Sequence, residues 1–263
     1  IKSKADIKSC QQNNKIGIIY GFQDTSMLEG DLNNLDTFYD AGVRCVQLTY
    51  NLDNLAGSGC LSKIDGGLKS FGIDVMREAQ ALGILVDLSH CSTKTTEQAI
   101  ALAKAPVAIT HAGCESVYSH PRNKSDKILK RLADQGGVVG IYFMPYLCAQ
   151  GTAKASDLIK HIEHAINICG EDHVGIGTDN RVAPTELNAE YLKQFAESNK
   201  RRKAAGIAAP REDENSHLFI EDLNTLNRFA DLASLLKKRG HSETRINKIL
   251  AGNFTRLFAE TLG

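Results

Sequence analysis

The segment Ile84-Leu85-Val86-Asp87-Leu88-Ser89-His90 is an apolar run that ends in polar residues and a histidine. A second run, residues 106–111, ends in His111, and a third, residues 174–179, ends in Asp179. Parallel strands in a barrel deliver their last side chains to the same face. These three stretches therefore predict catalytic groups gathered at the rim of a parallel barrel.

The wider pattern alternates strand-like and helix-like stretches and predicts an α/β fold with a parallel sheet and right-handed crossovers. Strands are expected at residues 16–22, 43–49, 84–89, 106–110, 138–143 and 174–177, and helices between them at residues 71–81, 93–103, 127–133 and 155–169. Six strands could form an open sheet. The polar strand ends favour a (β/α)8 TIM-like barrel, with the first two strands apparently missing and expected upstream of Ile1.

Length and composition favour one large domain over residues 1–263, of which 42% are hydrophobic. An inserted helix and loop are expected at residues 185–215, followed by helices near 223–239 and 242–262. The basic run at residues 200–203 is interpreted as a solvated helix face. The longest apolar stretch, residues 137–149, is too short to cross a membrane.

The charge balance argues against partners that are recognised by a global electric field. Lys plus Arg and Asp plus Glu number 31 each, so neither nucleic acid nor an anionic membrane surface is an expected partner. A small-molecule substrate fits better. The seven cysteines are an odd number, they contain no zinc-type pair, and they do not settle the compartment.

His90 and His111 end two neighbouring strands, where both imidazoles could reach one zinc ion. For either histidine alone, a strand-end residue with a satisfied hydrogen bond is the favoured interpretation, but two at matching positions favour a metal. Asp179 could ligate the metal or take a proton from its bound water, although an aspartate capping the next turn is as good an interpretation of that motif alone. Arg122 could grip a carboxylate, with a surface role favoured in the absence of context.

His161 and His164 form a second, weaker candidate metal pair around Glu163. They lie in the middle of a predicted outer helix that does not face the rim. A metal site is therefore not predicted there.

Taken together, the motifs resemble the membrane (renal) dipeptidase family, zinc peptidases of the amidohydrolase superfamily. The resemblance extends from about residue 16 to the C-terminus, through residues 70–72, 85–90, 109–111, 121–123, 174–179 and 252–258. It implies a site of two zinc ions that share a bridging glutamate and a bridging water. One ion also takes a His-x-Asp pair, and the other takes two histidines that match His90 and His111.

The resemblance further places the family's substrate-carboxylate arginine on Arg122 and its acid/base aspartate on Asp179. Three departures accompany these matches. No His-x-Asp occurs in the chain, which is expected if the first strands are missing; the bridging glutamate falls on Gln23, and a substrate-contacting histidine falls on Tyr50. A neutral amide at Gln23 should weaken one metal, since adjacent cations need anionic bridges. Tyr50 can still donate a hydrogen bond to an oxyanion.

The first functional hypothesis is a zinc-dependent dipeptidase, with one or two zinc ions, that cleaves dipeptides or related small amides by a metal-activated water. In it His90, His111 and Gln23 are the metal residues, Asp179 is catalytic, and Arg122 and Tyr50 bind substrate. The alternative is a dipeptidase-like homologue whose altered metal site acts on or binds a peptide-like natural product. A purely structural protein ranks last. Relatives also suggest a homodimer and a periplasmic or secreted location.

Overall fold

The computed structural model describes residues 1–213 and 216–262 and has an α/β fold. Its sheet has six strands in sequence order, β1 to β6, and the strand pairs β1/β2, β2/β3, β3/β4 and β5/β6 are parallel. The strands are β1 Tyr20–Phe22, β2 Val43–Gln47, β3 Leu85–Asp87, β4 Ala108–Ala112, β5 Val138–Ile141 and β6 Val174–Ile176. All six predicted strands exist, and the predicted α/β class is confirmed.

Helices alternate with the strands along the chain. They are α1 Lys4–Gln12, α2 Asn34–Ala41, α3 Ser70–Leu82, α4 Thr93–Leu102, α5 Asp126–Asp134, α6 Ala155–Cys169, α7 Ala189–Ala204, α8 Arg228–Lys238, α9 Glu243–Asn247 and α10 Asn253–Thr261, with a π-helical turn at Lys248–Gly252. In the part of the chain that the structure describes, no helix combines the length and apolar character needed to cross a bilayer.

The chain divides into two compact units. The first comprises residues 1–110, 130–138 and 252–263, and its buried cluster of Leu85, Ala108, Val138 and Leu257 is packed by Cys45, Phe254 and Phe258. The second comprises residues 111–129 and 139–251, where β5 pairs with β6 and α6 buries an apolar face. The prediction of a single domain with an insertion at residues 185–215 stays a prediction.

The N-terminal part of the chain differs most from the predicted pattern. The first strand starts at Tyr20 and not at residue 16, because Ile16 and Ile18 are 93% and 64% exposed and lie outside the ladder. Helix α1 was not predicted because it buries none of its residues and so has no apolar stripe. It begins instead with a reciprocal cap between Ser3 and Asp6. Helix α2, which also was not predicted, buries only Leu35.

The C-terminal helices are shorter than predicted. The helix expected at residues 223–239 begins at Arg228, after a short 3-10 turn at Glu221–Leu223. The helix expected at 242–262 is divided into α9 and α10 by the π-helical turn. A π-helical turn keeps the chain helical but changes the spacing of its side chains. The pattern of apolar residues therefore predicts one continuous helix across it.

Candidate metal centre

His90 lies in the turn after β3, and its ring is fixed from two sides. The side chain is 3% exposed, and its Nδ1 lies 2.6 Å from Oδ1 of Asn51. Since an amide oxygen can only accept, Nδ1 carries the proton and Nε2 keeps its lone pair. An oriented imidazole of this tautomer is the form that ligates zinc, and Asn51 is the kind of outer partner that ligating histidines have.

Tyr50 covers the His90 ring. The two rings stack with centroids 4.3 Å apart and an angle of 24° between their planes. The Tyr50 main-chain N–H donates to Oδ2 of Asp24 over 3.0 Å, which fixes the backbone that carries the ring. The structure therefore brings Tyr50 to the predicted metal residue His90, while its contact with substrate stays a prediction.

His111 is part of β4, not the residue that follows it. The predicted end of this strand at residue 110 is wrong, because Thr110 and His111 continue the ladder to Ala112, whose carbonyl oxygen accepts from the N–H of Tyr142 over 3.2 Å. The His111 side chain is 6% exposed. Its position inside a strand makes its backbone more rigid than that of a loop residue.

Asp87 connects the backbone beside both histidines, and the sequence analysis did not single it out. Its Oδ1 accepts from the N–H of Ser89 (3.0 Å), the hydroxyl of Ser89 (2.5 Å) and the N–H of Thr110 (2.9 Å), and its Oδ2 accepts from the hydroxyl of Thr110 (2.7 Å). Ser89 precedes His90, and Thr110 precedes His111. One buried carboxylate thus sets the spacing of the two segments. A sequence feature that could have identified Asp87 is its position as an ionisable residue at the end of an apolar strand. A charge buried there needs several hydrogen bonds, which indicates a structural role.

Asp179 follows β6 on a short extension of the sheet. The carbonyl oxygen of Thr178 accepts from Phe143 N–H over 3.1 Å, so the strand pairing with the β5 side continues to the residue before Asp179. At Asp179 the chain turns with a φ of +53°, in the left-handed region. The side chain is exposed, in contrast to the two buried histidines.

These three residues form the candidate metal centre. His90, His111 and Asp179 each offer one ligand atom, and all these atoms lie within 4.8 Å of one another. Two imidazoles and one carboxylate are a donor set found in catalytic zinc sites that keep a further position open. The donor types, their closeness and the tautomer of His90 all fit a zinc ion.

Arg122 is buried and not a surface residue. It is 1% exposed, its Nη2 donates to the main-chain oxygen of His111 over 3.4 Å, and its guanidinium carbon lies 5.8 Å from the centre of the Tyr142 ring. The surface interpretation of this arginine is therefore wrong. The contact with His111 brings it beside a predicted metal ligand, as the substrate-binding hypothesis requires.

His120 holds the backbone of Arg122 through a hydrogen bond. Its Nδ1 accepts from the N–H of Arg122 over 3.2 Å, and its Nε2 donates to the main-chain oxygen of Pro210 over 2.9 Å. Burial is the main cause that lowers the pKa of His120 to about 4. The ring is accordingly neutral near pH 7 and makes one donor and one acceptor contact.

A buried ion pair extends this arrangement to α7. Glu212, 4% exposed, accepts from the hydroxyl of Tyr146 over 2.9 Å and from Nε and Nη2 of Arg202 over 2.5 and 2.9 Å. Tyr146 in turn stacks on His120 with centroids 4.3 Å apart, and burial raises the pKa of its hydroxyl. The interpretation of residues 200–203 as a wholly solvated face is therefore wrong at Arg202.

Gln23, the third predicted metal residue, has an exposed side chain. Its main-chain oxygen accepts from Nε2 of Gln47 over 2.5 Å. Its role as a metal residue stays a prediction.

His161, from the weaker candidate metal pair, is buried, with Nδ1 accepting from Cys114 N–H (2.9 Å) and Nε2 donating to Leu147 oxygen (3.1 Å). Both ring nitrogens of His161 are thus occupied by structural contacts.

Comparison with known proteins identifies the class. The family model for membrane dipeptidase, peptidase family M19, matches residues 1–196. The chain belongs to this family of metallopeptidases. It is 35% identical over 180 residues to an uncharacterized dipeptidase of Schizosaccharomyces pombe, an alignment that covers 66% of this chain and 43% of that protein. The chain thus spans less than half the length of that curated relative.

Solved structures share the fold of this chain. An amidohydrolase from Pseudomonas aeruginosa is 34% identical, with a TM-score of 0.86 over 100% of this chain and 78% of that one. A metallopeptidase from Rhodobacter sphaeroides, bound to a phosphinate mimic of the dipeptide L-Ala-D-Ala, gives a TM-score of 0.80 at 21% identity over 99% of this chain and 68% of that one. These likenesses confirm the predicted fold class.

Proposed function

We propose that this protein is a zinc-dependent dipeptidase that hydrolyses the peptide bond of dipeptides or related small amides. The observation that carries the proposal is the convergence of His90, His111 and Asp179 on one point. Membership of the M19 family supports the reaction class. The periplasmic or secreted location expected from relatives is part of the same proposal.

His90 and His111 would hold zinc, each through an imidazole lone pair, and Asp179 is assigned to proton transfer and not to the metal. When bound, zinc would supply Lewis acidity that could lower the pKa of a water and polarise a carbonyl. Asp179 is exposed at the same point, and its carboxylate takes the proton of the attacking water and delivers it to the leaving amine. General acid–base catalysis of this kind contributes about 10²- to 10⁴-fold to a rate.

Arg122 and Tyr50 would position the substrate. A guanidinium binds a terminal carboxylate through two parallel hydrogen bonds. The contact of Nη2 with the main-chain oxygen of His111 orients the guanidinium of Arg122, and the contact with His120 holds its backbone. The Tyr50 hydroxyl donates to the oxygen on which negative charge develops. Its stacking on His90 keeps the ring beside the metal ligand.

The test is turnover of a dipeptide panel by purified protein with added zinc. Wild type is expected to hydrolyse at least one dipeptide, and Asp179→Asn to reduce the rate at least about a hundredfold. Asp36→Asn, an exposed aspartate on α2, is the matched control and should leave the rate unchanged. If zinc-loaded wild type is as inert as Asp179→Asn, the proposal fails.

A second candidate function rests on Gln23, which stands where the family has a bridging glutamate. A homologue with this altered metal site could bind or process a peptide-like natural product instead. Elemental analysis separates the two: a neutral amide should leave at most one tightly held zinc, whereas two tightly held ions argue for the dipeptidase.

A further inference from the structure

A cleft of about 600 Å³ opens directly beside Asp179, within the second unit. Its wall includes Asp179, Arg181, Tyr191, Gln194, Phe195 and Arg201. Asp179 is therefore shared between the candidate metal centre and this cleft. Whatever occupies the cleft lies next to the proposed acid/base group.

The two arginines reach the cleft from different elements. Arg181 lies in the loop after β6, where its N–H donates to Oδ1 of Asn180 (2.8 Å) and its main-chain oxygen accepts from Arg228 (3.1 Å). Arg201 lies on α7, together with the stacked rings of Tyr191 and Phe195, whose centroids are 5.7 Å apart. The backbone of the loop and the helix are thus fixed, while both arginine side chains are exposed.

Neither guanidinium is neutralised by the described part of the chain. The neighbouring Arg202 pairs with Glu212, but no carboxylate among residues 1–213 and 216–262 forms an ion pair with Arg181 or Arg201. The cleft therefore holds two positive groups and one negative group, although the whole chain has no net charge. A guanidinium binds carboxylates through paired hydrogen bonds, so this surplus favours an anionic occupant.

We propose that this cleft binds a carboxylate-bearing side chain of the substrate, so that the preferred dipeptides contain an acidic residue. The inference rests on the proposed function, because Asp179 links the cleft to the reaction. Tyr191 and Phe195 offer apolar surface to the methylene groups of such a side chain, and the two arginines bind its end. This carboxylate is distinct from the terminal one assigned to Arg122.

The experiment compares isosteric substrate pairs that differ only in charge: Ala-Glu with Ala-Gln, and Glu-Ala with Gln-Ala. In one pair the kcat/KM ratio of acid to amide should exceed about 10 for wild type. Arg181→Gln and Arg201→Gln should each lower that ratio about fivefold, as expected for the loss of one partly solvated charge pair. Lys200→Gln, an exposed neighbour outside the cleft wall, should leave the ratio unchanged. Raising the salt concentration to 0.5 M should also lower the ratio.

The outcomes separate this inference from the proposed function. The acidic-substrate inference is overturned if the protein turns over dipeptides with acid-to-amide kcat/KM ratios near one, or if both arginine variants leave the ratios unchanged. Either result is still compatible with the proposed dipeptidase function. Absence of all turnover overturns the dipeptidase. In that case calorimetric binding of the same peptides to zinc-loaded wild type decides the inference: equal affinity for acid and amide sinks it, and an acid preference that Arg201→Gln removes supports it.

Discussion

Two regions around the candidate metal centre differ in how their side chains are held. In the strand-end region, residues 85–90 and 108–112, the histidines are buried and hydrogen bonds to Asp87 fix the residues before them. In the cleft region, residues 179–213 and 216–218, Arg181 and Arg201 project into solvent. The difference indicates that the two histidines proposed as metal ligands are immobilised by burial, whereas the two arginines proposed to select the substrate side chain stay accessible. The cleft region nevertheless has its own buried support at Glu212.

The largest expected effect is at the proposed metal ligand His111. His111→Ala should lower zinc affinity more than a hundredfold, since removal of an outer partner of a ligand already costs about 10- to 100-fold, and activity should fall with it. Zinc content and dipeptide turnover are measured together. His173→Ala, before the opposite end of β6, is the control and should keep its zinc. Retention of zinc by His111→Ala would remove this residue from the site.

Acid should destabilise the support of the cleft region. Burial lowers the pKa of His120 to about 4 from 6.5, so between these pH values the unfolded chain binds a proton that the folded chain does not. Stability is therefore full above pH 6.5 and falls as pH drops toward 4, by up to about 3 kcal/mol for this group. Urea unfolding of wild type and His120→Gln across this range measures it.

His161 provides the internal comparison for that measurement. Burial also lowers the pKa of His161 to about 4. This histidine therefore also lowers the free energy of unfolding as pH falls over the same range. His120→Gln should remove about half of the pH dependence and leave the share of His161. An unchanged slope would show that His120 is not buried as a neutral group.

The strand-end region is tested through Asp87. Asp87→Asn replaces one acceptor oxygen with a donor that faces the N–H and hydroxyl groups of Ser89 or Thr110. The loss should cost about 2 kcal/mol of unfolding free energy and weaken zinc binding. Urea unfolding gives the first quantity and a zinc titration the second. Asp36→Asn should change stability by less than about 0.5 kcal/mol; an equally small effect at Asp87 would contradict the assignment.

The smallest expected effect is at Glu212. Glu212→Gln keeps the shape but removes the charge opposite Arg202, which should cost about 1.5 kcal/mol. Amide hydrogen exchange should accelerate over residues 206–213 and stay unchanged over residues 85–90. Glu186→Gln, exposed and in the same unit, is the control. Equal acceleration in both regions would mean that the two are not independently supported.

The features predicted correctly from the sequence are those that depend on the pattern of neighbouring residues. His90, His111 and Asp179 each follow or end an apolar run, and strand polarity alone gathers them. Helix α6 was predicted at its observed limits because its apolar residues repeat at helical spacing. Helix α1 escaped because it has no buried residue, and the start of the first strand was wrong because Ile16 and Ile18 are apolar yet exposed.

The remaining features depend on contacts between residues far apart in the chain. Asn51 orients His90 across 39 positions, and Glu212 accepts from Tyr146 across 66. No local pattern specifies such pairs, since polar residues in loops are ordinarily solvated. The burial of Arg122 is of the same kind. Its neighbours in sequence other than Pro121 are polar, and only the folded chain shows the contact with His111.

The positive φ of Asp179 narrows the set of residues that evolution could place there. Left-handed backbone costs most residue types about 1 to 2 kcal/mol, while glycine, asparagine and aspartate adopt it most readily. Of these three, only aspartate carries a charge at neutral pH. Backbone shape and the proposed proton transfer therefore favour the same amino acid through unrelated requirements. A substitution at position 179 that preserves the backbone would most readily be asparagine or glycine, neither of which carries the proposed acid/base carboxylate.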